Sequence, residues 1–209
     1  MITIERTETA GWEAAIRGMR NPMNSWDKSD SGVLDDDIVI GHNDLALMTK
    51  LVNSGSDHSK FKRMIIVTAD ITAPLYWWKE FDTYKVGTVA NSCSTMHRIH
   101  KQEFTLEDFS TEHLTKDSLE IFQYQIFFWL NYCRERFLET NDKTWWWQMI
   151  QILPSSYNQK RTVLMNYEVL SNIYRARKDH KLDEWHDLCR WISSLPYSDL
   201  ITRKENDND

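Results

Sequence analysis

Cysteine, a basic stripe and a long apolar run are what this chain of 209 residues lacks or has little of. Its three cysteines, Cys93, Cys133 and Cys189, are an odd set at wide spacing without a CxxC pair. That pattern excludes a disulfide framework and points to reduced thiols. Lys and Arg number 25 against 31 Asp and Glu, for a net charge of −6. With no clustered basic residues, a duplex DNA or RNA binder is excluded, whereas a small anionic ligand needs only a few arginines. No apolar run approaches the roughly 18 residues of a membrane span, and Met1-Ile2-Thr3-Ile4-Glu5-Arg6 lacks the layout of a secretion signal. The expectation is a soluble, cytoplasmic protein.

The periodicities predict an α/β (α+β) fold with a central β-sheet flanked by helices. One domain is expected over 1–202, with a polar tail at 203–209, because no repeat or linker divides the chain. Ile2 to Glu8 alternates as a half-buried strand does, and Gly11 to Arg20 places Trp12, Ile16 and Met19 on one helical face. Asn21 to Asp37 is rich in turn formers and reads as a loop. Asn43 is expected to cap a helix that turns Leu45, Leu47, Met48 and Leu51 inward. Met64 to Ile71 suits a central strand, and Pro74 opens a short aromatic helix. A long amphipathic helix is expected from Asp117 through Phe137, another from about Val163 to Arg177, and a last one from Asp183 to Ser193.

Some residue types here carry chemistry. Arg177 offers a planar donor fork suited to phosphate or a uracil carbonyl, and Asn166 offers both a donor and an acceptor. Each also has an ordinary reading, as a surface arginine and a capping asparagine. The ten tryptophans include the run Trp145-Trp146-Trp147, which suits stacking on a planar ring, a core or an oligomer interface. Cys93, His97, His100 and Glu103, and the run Asp35-Asp36-Asp37, are metal-ligand types without a second cluster, so no metal is expected. His180 and Glu184, four apart, are either an acid-base pair or a helix-surface contact.

Two blocks form a longer pattern. The first is His58-Ser59-Lys60-Phe61, then Met64 to Val67, Ala73-Pro74, the Trp77 to Phe81 segment and Thr83 to Thr95; the second runs from Ile152-Leu153-Pro154 through Asn166 to Arg177. In order and spacing they resemble the flavin-dependent thymidylate synthase family, over roughly 58 to 97 and 150 to 190. The resemblance implies a homotetramer with shared sites, binding a uridine-type nucleotide (dUMP) and FAD. It implies dTMP formation with methylenetetrahydrofolate and NADPH as co-substrates, the cofactor performing the hard step. Arg177 then binds nucleotide, Asn166 and His58 serve the cofactor, and the catalytic residue is not identified.

The chain departs from the family's Arg-His-Arg loop. Counted without gaps from Ala73-Pro74, the triplet falls on Thr83-Tyr84-Lys85 and later positions on Thr88, Ala90, Cys93 and Thr95, leaving Lys85 and Thr88 as the type-preserving cofactor contacts. Shifted by one residue, Tyr84-Lys85-Val86 takes the triplet and Asn91 and Ser94 match the family's Asn and Ser as substrate contacts. A flavin-contacting arginine is replaced by Glu168, and a basic residue by Ile150. The alternative to a synthase is an inactive homologue that binds, senses or sequesters a nucleotide.

Overall fold

The computed structural model describes residues 1–35 and 37–203, with nothing to say of the Asp37 side chain. In chain order the elements are β1 (Thr3–Ala10), α1 (Trp12–Arg20), β2 (Gly32–Leu34), β3 (Asp37–Val39), α2 (His42–Asn53), β4 (Ile66–Pro74), α3 (Leu75–Phe81), β5 (Val89–Ser92), α4 (Thr95–Arg98), α5 (Lys116–Ile121), α6 (Phe128–Thr140), α7 (Lys143–Ile152), β6 (Asn158–Asn166), α8 (Tyr167–Arg177), α9 (Asp183–Ser194) and α10 (Asp199–Thr202). A four-stranded sheet has the order β1-β4-β6-β5, and β2 pairs antiparallel with β3 from Gly32↔Val39 to Leu34↔Asp37. The mixed α/β class expected from the periodicities is the one observed.

Residue contacts gather the chain into two compact units, one of Met1–Thr3, Ile71–Thr83 and Asn91–Thr162, the other of Ile4–Asp70, Tyr84–Ala90 and 163 onward. Each unit is assembled from separated stretches, which is why no linker marks a boundary in the sequence. The polar tail expected at 203–209 lies, from 204 on, outside the described residues.

In the first unit, Phe104, Phe109, Phe122, Leu130, Cys133 and Met149 build an aromatic core. Phe109 meets Phe122 edge-on with ring centroids 5.1 Å apart. α6 and α7 form a helical hairpin whose turn is written in Asn141-Asp142. Asn141 takes the left-handed conformation that ends α6 (φ 53°), and the Asp142 side chain accepts from the Thr144 amide at 2.9 Å to begin α7. The long helix expected after Asp117 is continuous, but Phe122–Phe127 is a π-helical segment between α5 and α6. Trp77 and Trp78 of α3 are fully buried, and the Trp78 indole donates to the Gln159 carbonyl at 2.8 Å.

In the second unit, Trp12 packs edge-on against Tyr167 (5.2 Å) and Tyr197 (5.4 Å), and the Tyr167 hydroxyl donates to the Pro196 carbonyl. Burial raises the Tyr167 phenol pKa well above its ordinary value. Cys189 is buried, and burial together with Asp179 pushes its thiol up to about 11, so it is an unreactive core residue.

Three expectations for helices and loops are corrected. The stretch 21–37 is not all loop, because Gly32–Leu34 and Asp37–Val39 pair as a hairpin. Asn43 does not cap α2. Asp30 takes that role from outside the helix, accepting from the Asn43 and Asp44 amides at 2.9 and 3.1 Å. The inward face of α2 is Asp44, Met48 and Val52, with Leu45, Leu47 and Leu51 only half-buried.

Asp44 is fully buried because its carboxylate collects hydrogen bonds. Arg20 Nε donates at 2.6 Å, the Ser29 and Ser31 hydroxyls at 2.8 and 2.6 Å, and the Asp30 and Ser31 amides at 3.1 Å each. Burial alone would raise its pKa; the hydrogen bonds from Ser31, Ser29, Arg20 and Asp30 outweigh it and hold the group at about 2 against an ordinary 3.8. The network ties 20–31 to α2. Because the folded pKa lies below the unfolded one, this stability is present above about pH 4 and is lost as pH falls through about 2. Asp44→Asn is expected to cost about 3 kcal/mol at neutral pH. It should also flatten the loss of stability between pH 4 and 2, read by urea unfolding; an equally steep acid limb in the variant would contradict the assignment.

Candidate functional site

Asn166 and Arg177 bracket α8. The expected helix from Val163 is corrected to a strand, β6, that ends at Asn166, with α8 beginning at Tyr167. The Asn166 oxygen accepts from the Val169 amide at 2.9 Å, so the residue is the helix N-cap. Arg177 closes the same helix, eleven residues on, about 16 Å away by helical rise. The two therefore stand at opposite ends of the helix and do not share one contact point.

What joins them is the loop over 84–88. The Tyr84 hydroxyl accepts from Arg177 Nε at 2.9 Å, at one end of α8. At the other end Gly87 (φ +78°) lies so close to the cap that an added Cβ would stand 3.0 Å from Asn166 Nδ2 and 3.1 Å from Val169. Only glycine gives both that backbone conformation and that approach. The loop thus runs along α8, with Lys85, exposed, between its two contacts and Thr88, half-buried, one residue beyond Gly87. Thr88 Oγ1 is buried and has no hydrogen-bond partner.

Arg177 is held as well as placed. Its guanidinium carbon lies 4.6 Å from the Trp185 ring centroid and 5.6 Å from that of Tyr84. Trp185, on α9, is fully buried and meets Tyr84 edge-on at 6.1 Å. Stacking on an indole while donating from Nε fixes the plane of the donor fork, as recognition of a phosphate or a uracil edge requires. His180 meets the same indole (6.1 Å), and its Nδ1 accepts from the Leu182 amide at 3.2 Å. The parts that Tyr84 and Trp185 play are not legible in the residue types alone; a tryptophan eight residues after an arginine across a short turn was the available signal.

The other residues singled out above are distributed as follows. His58 is exposed in a turn where its amide donates to the Gly55 carbonyl. Asn91, in β5, and Ser94 belong to the first unit and are exposed. Ser94 caps α4, accepting from the His97 amide at 3.2 Å, and lines a cavity of about 270 Å³. Arg98 and Lys160 bring two cations to that cavity, with Tyr157 and the exposed Cys93. Burial, then Asp108 and Cys93, raises the Tyr157 phenol pKa. Trp145 and Trp146 pack on the core of their unit while Trp147 is exposed. Among the described residues no group of three or more His, Cys, Asp or Glu is placed to hold a metal; Asp36 lies outside them.

Glu168, the acid that stands where the related pattern has a flavin-contacting arginine, is not a bare negative charge. Lys62, only 2% exposed, places Nζ 3.1 Å from Glu168 Oε2 and donates to Ser171 Oγ at 3.1 Å. Ser171 Oγ in turn donates to the Tyr167 carbonyl at 2.8 Å. Lys62→Ala should cost about 3 to 5 kcal/mol by leaving Glu168 uncompensated, while Lys62→Met with Glu168→Leu should recover most of it. Urea unfolding reads both; a single variant within about 0.5 kcal/mol of the parent would show that the pair carries no weight.

No family model and no curated protein matches the chain in sequence. Solved structures do match in fold. A thymidylate synthase X (ThyX) from Helicobacter pylori, solved with FAD and dUMP, superposes with a TM-score of 0.70 at 17% identity over 97% of each chain. A second structure described as flavin-dependent ThyX from the same organism, complexed with FAD and dUMP, gives 0.68 at 17% identity over 95% of this chain and 96% of that one. A UMP/dUMP methylase, PolB from Streptomyces cacaoi, bound with 5-Br dUMP, gives 0.61 at 14% identity over 92% and 88%. Likeness of this extent at such low identity establishes architecture: the chain is folded as the flavin-dependent thymidylate synthases are.

Proposed function

We propose that the protein binds a uridine-type nucleotide, dUMP, at Arg177 and FAD at the loop over 84–88, and forms dTMP by reductive methylation with methylenetetrahydrofolate and NADPH. The observation that carries the reading is the oriented guanidinium, stacked on Trp185 and tied to Tyr84 in a fold whose solved examples hold dUMP. Flavin supplies the hydride chemistry when bound. The residues fit it in part: Thr88 Oγ1 is a buried hydroxyl with no partner, Lys85 brings a cation to the same loop, and Lys62 cancels the charge of Glu168. Asn166 Nδ2 faces Gly87 and gives a donor at the end of that loop. His58 is the remaining cofactor contact in this reading; Asn91 and Ser94 have a substrate role only as the resemblance implies it. The homotetramer implied by the resemblance belongs to the same proposal.

A second reading has its own support. The Asn166 oxygen is engaged by the Val169 amide and the Glu168 carboxylate by Lys62, so two positions given to flavin by the resemblance serve the fold here. An inactive homologue that binds, senses or sequesters a nucleotide needs only the Arg177 centre.

Colour and ligand-induced stabilisation separate the readings. The synthase reading expects yellow protein and rescue of thymidine-requiring cells. Both readings expect dUMP at roughly 100 times Kd to raise the melting temperature by about 5 to 10 °C. Arg177→Ala should abolish that shift. Colourless protein that fails rescue but keeps the shift selects the second reading, and a shift unchanged by Arg177→Ala contradicts both.

A further inference from the structure

An open groove in the first unit is untouched by the nucleotide reading. It encloses about 780 Å³, and its aromatic wall comes from Tyr124, Phe127, Phe128 and Tyr132. Tyr124 is 76% exposed and Phe128 63%, large apolar side chains that a lone chain leaves in water at a cost. Tyr132, less exposed, continues the wall along α6. Phe128 and Tyr132, four apart on α6, share one helical face, the repeat an opposing helix presents. The π-helical segment Phe122–Phe127 runs through the wall, a distortion frequent at functional sites.

Two lining residues tie α6 to the segment at 104. Asn131 and Phe104 exchange two hydrogen bonds, Phe104 amide to Asn131 Oδ1 at 2.9 Å and Asn131 Nδ2 to the Phe104 carbonyl at 3.0 Å. The opposite bank is fixed by Thr105 and Asp108, which satisfy one another's backbone and side-chain groups as a capping box.

Charge selects the occupant. Glu103, Glu107 and Glu135 line the groove, all three exposed, and the lining contains no Lys, Arg or His. Hydrogen bonds from the backbone and from Thr105 hold the Glu107 carboxyl below its usual range, so it is charged. A surface that is aromatic along its wall and anionic around it is complementary to a chain segment with an apolar stripe flanked by ammonium or guanidinium groups. We propose that this groove docks a basic amphipathic helix of a partner protein, with Leu- or Ile-type side chains against Tyr124 and Phe128 and Lys or Arg heads paired with Glu103, Glu107 and Glu135.

The test uses the full chain and a fluorescent model helix of about 14 residues, Leu at i, i+3, i+4 and i+7 and Lys elsewhere. Binding is read by anisotropy at low and high salt. The proposal expects binding that weakens with salt and falls about tenfold or more in Glu103→Gln/Glu107→Gln/Glu135→Gln and in Tyr124→Ser/Phe128→Ser. It expects no loss in Glu13→Gln/Asp27→Asn/Asp57→Asn, which removes as much charge from exposed carboxylates outside the groove. Equal binding of a scrambled Leu/Lys peptide or of a Leu/Glu helix would overturn it. So would displacement by spermidine as effective as by unlabelled helix, which would make the occupant a small polycation. A fall in the sedimenting mass of the protein alone in Tyr124→Ser/Phe128→Ser would assign the face to a second copy of this chain. Melting temperatures matching the parent confirm that the variants fold, and none of these outcomes depends on nucleotide binding.

Discussion

A guanidinium stacked on a buried indole and tied through Nε to a phenol is the interaction around which the site is organised. It couples the end of α8 and the start of α9, neighbours across a short turn, to the loop that begins at Tyr84, 93 positions from Arg177. An arginine free to rotate loses side-chain entropy when it grips an anion; one held at Trp185 has lost much of it already. The same loop reaches back to the N-cap of α8 at Gly87, so one helix and one loop define both ends of the candidate site.

In the same unit two buried charges are matched by partners. Lys62 answers Glu168, and Arg20 answers Asp44, each with hydroxyls completing the set. Such pairs add little net stability compared with apolar side chains of the same volume, but removing one partner strands the other. They act here as fasteners of register: Asp44 holds 20–31 against α2, and Lys62 holds its turn against the first turn of α8.

Much of this was legible in the sequence, and the misreadings have physical causes. The spacing from Pro154 through Asn166 to Arg177, taken from the resemblance, picks out what folds as one helix, with Asn166 as its cap and Arg177 in its last turn. The strand before Asn166 was missed since Val163-Leu164-Met165 is a short apolar run whose period is ambiguous, and Asn166 itself was the start signal. On α2 the leucines outvoted Asp44, because no local pattern announces a carboxylate whose partners come from 20 to 31. Nor does one announce that Tyr84, which replaces a basic residue of the related pattern, meets Arg177 93 positions away.

The account stands on Arg177 meeting the nucleotide. Titrating dUMP into the isotope-labelled protein while following the Arg177 Nε–H resonance, which the Tyr84 hydroxyl contact makes distinct, tests that most directly. A saturable shift of this resonance together with the Trp185 indole signal is the expected result. Saturation of dUMP binding elsewhere with both signals unmoved would contradict it.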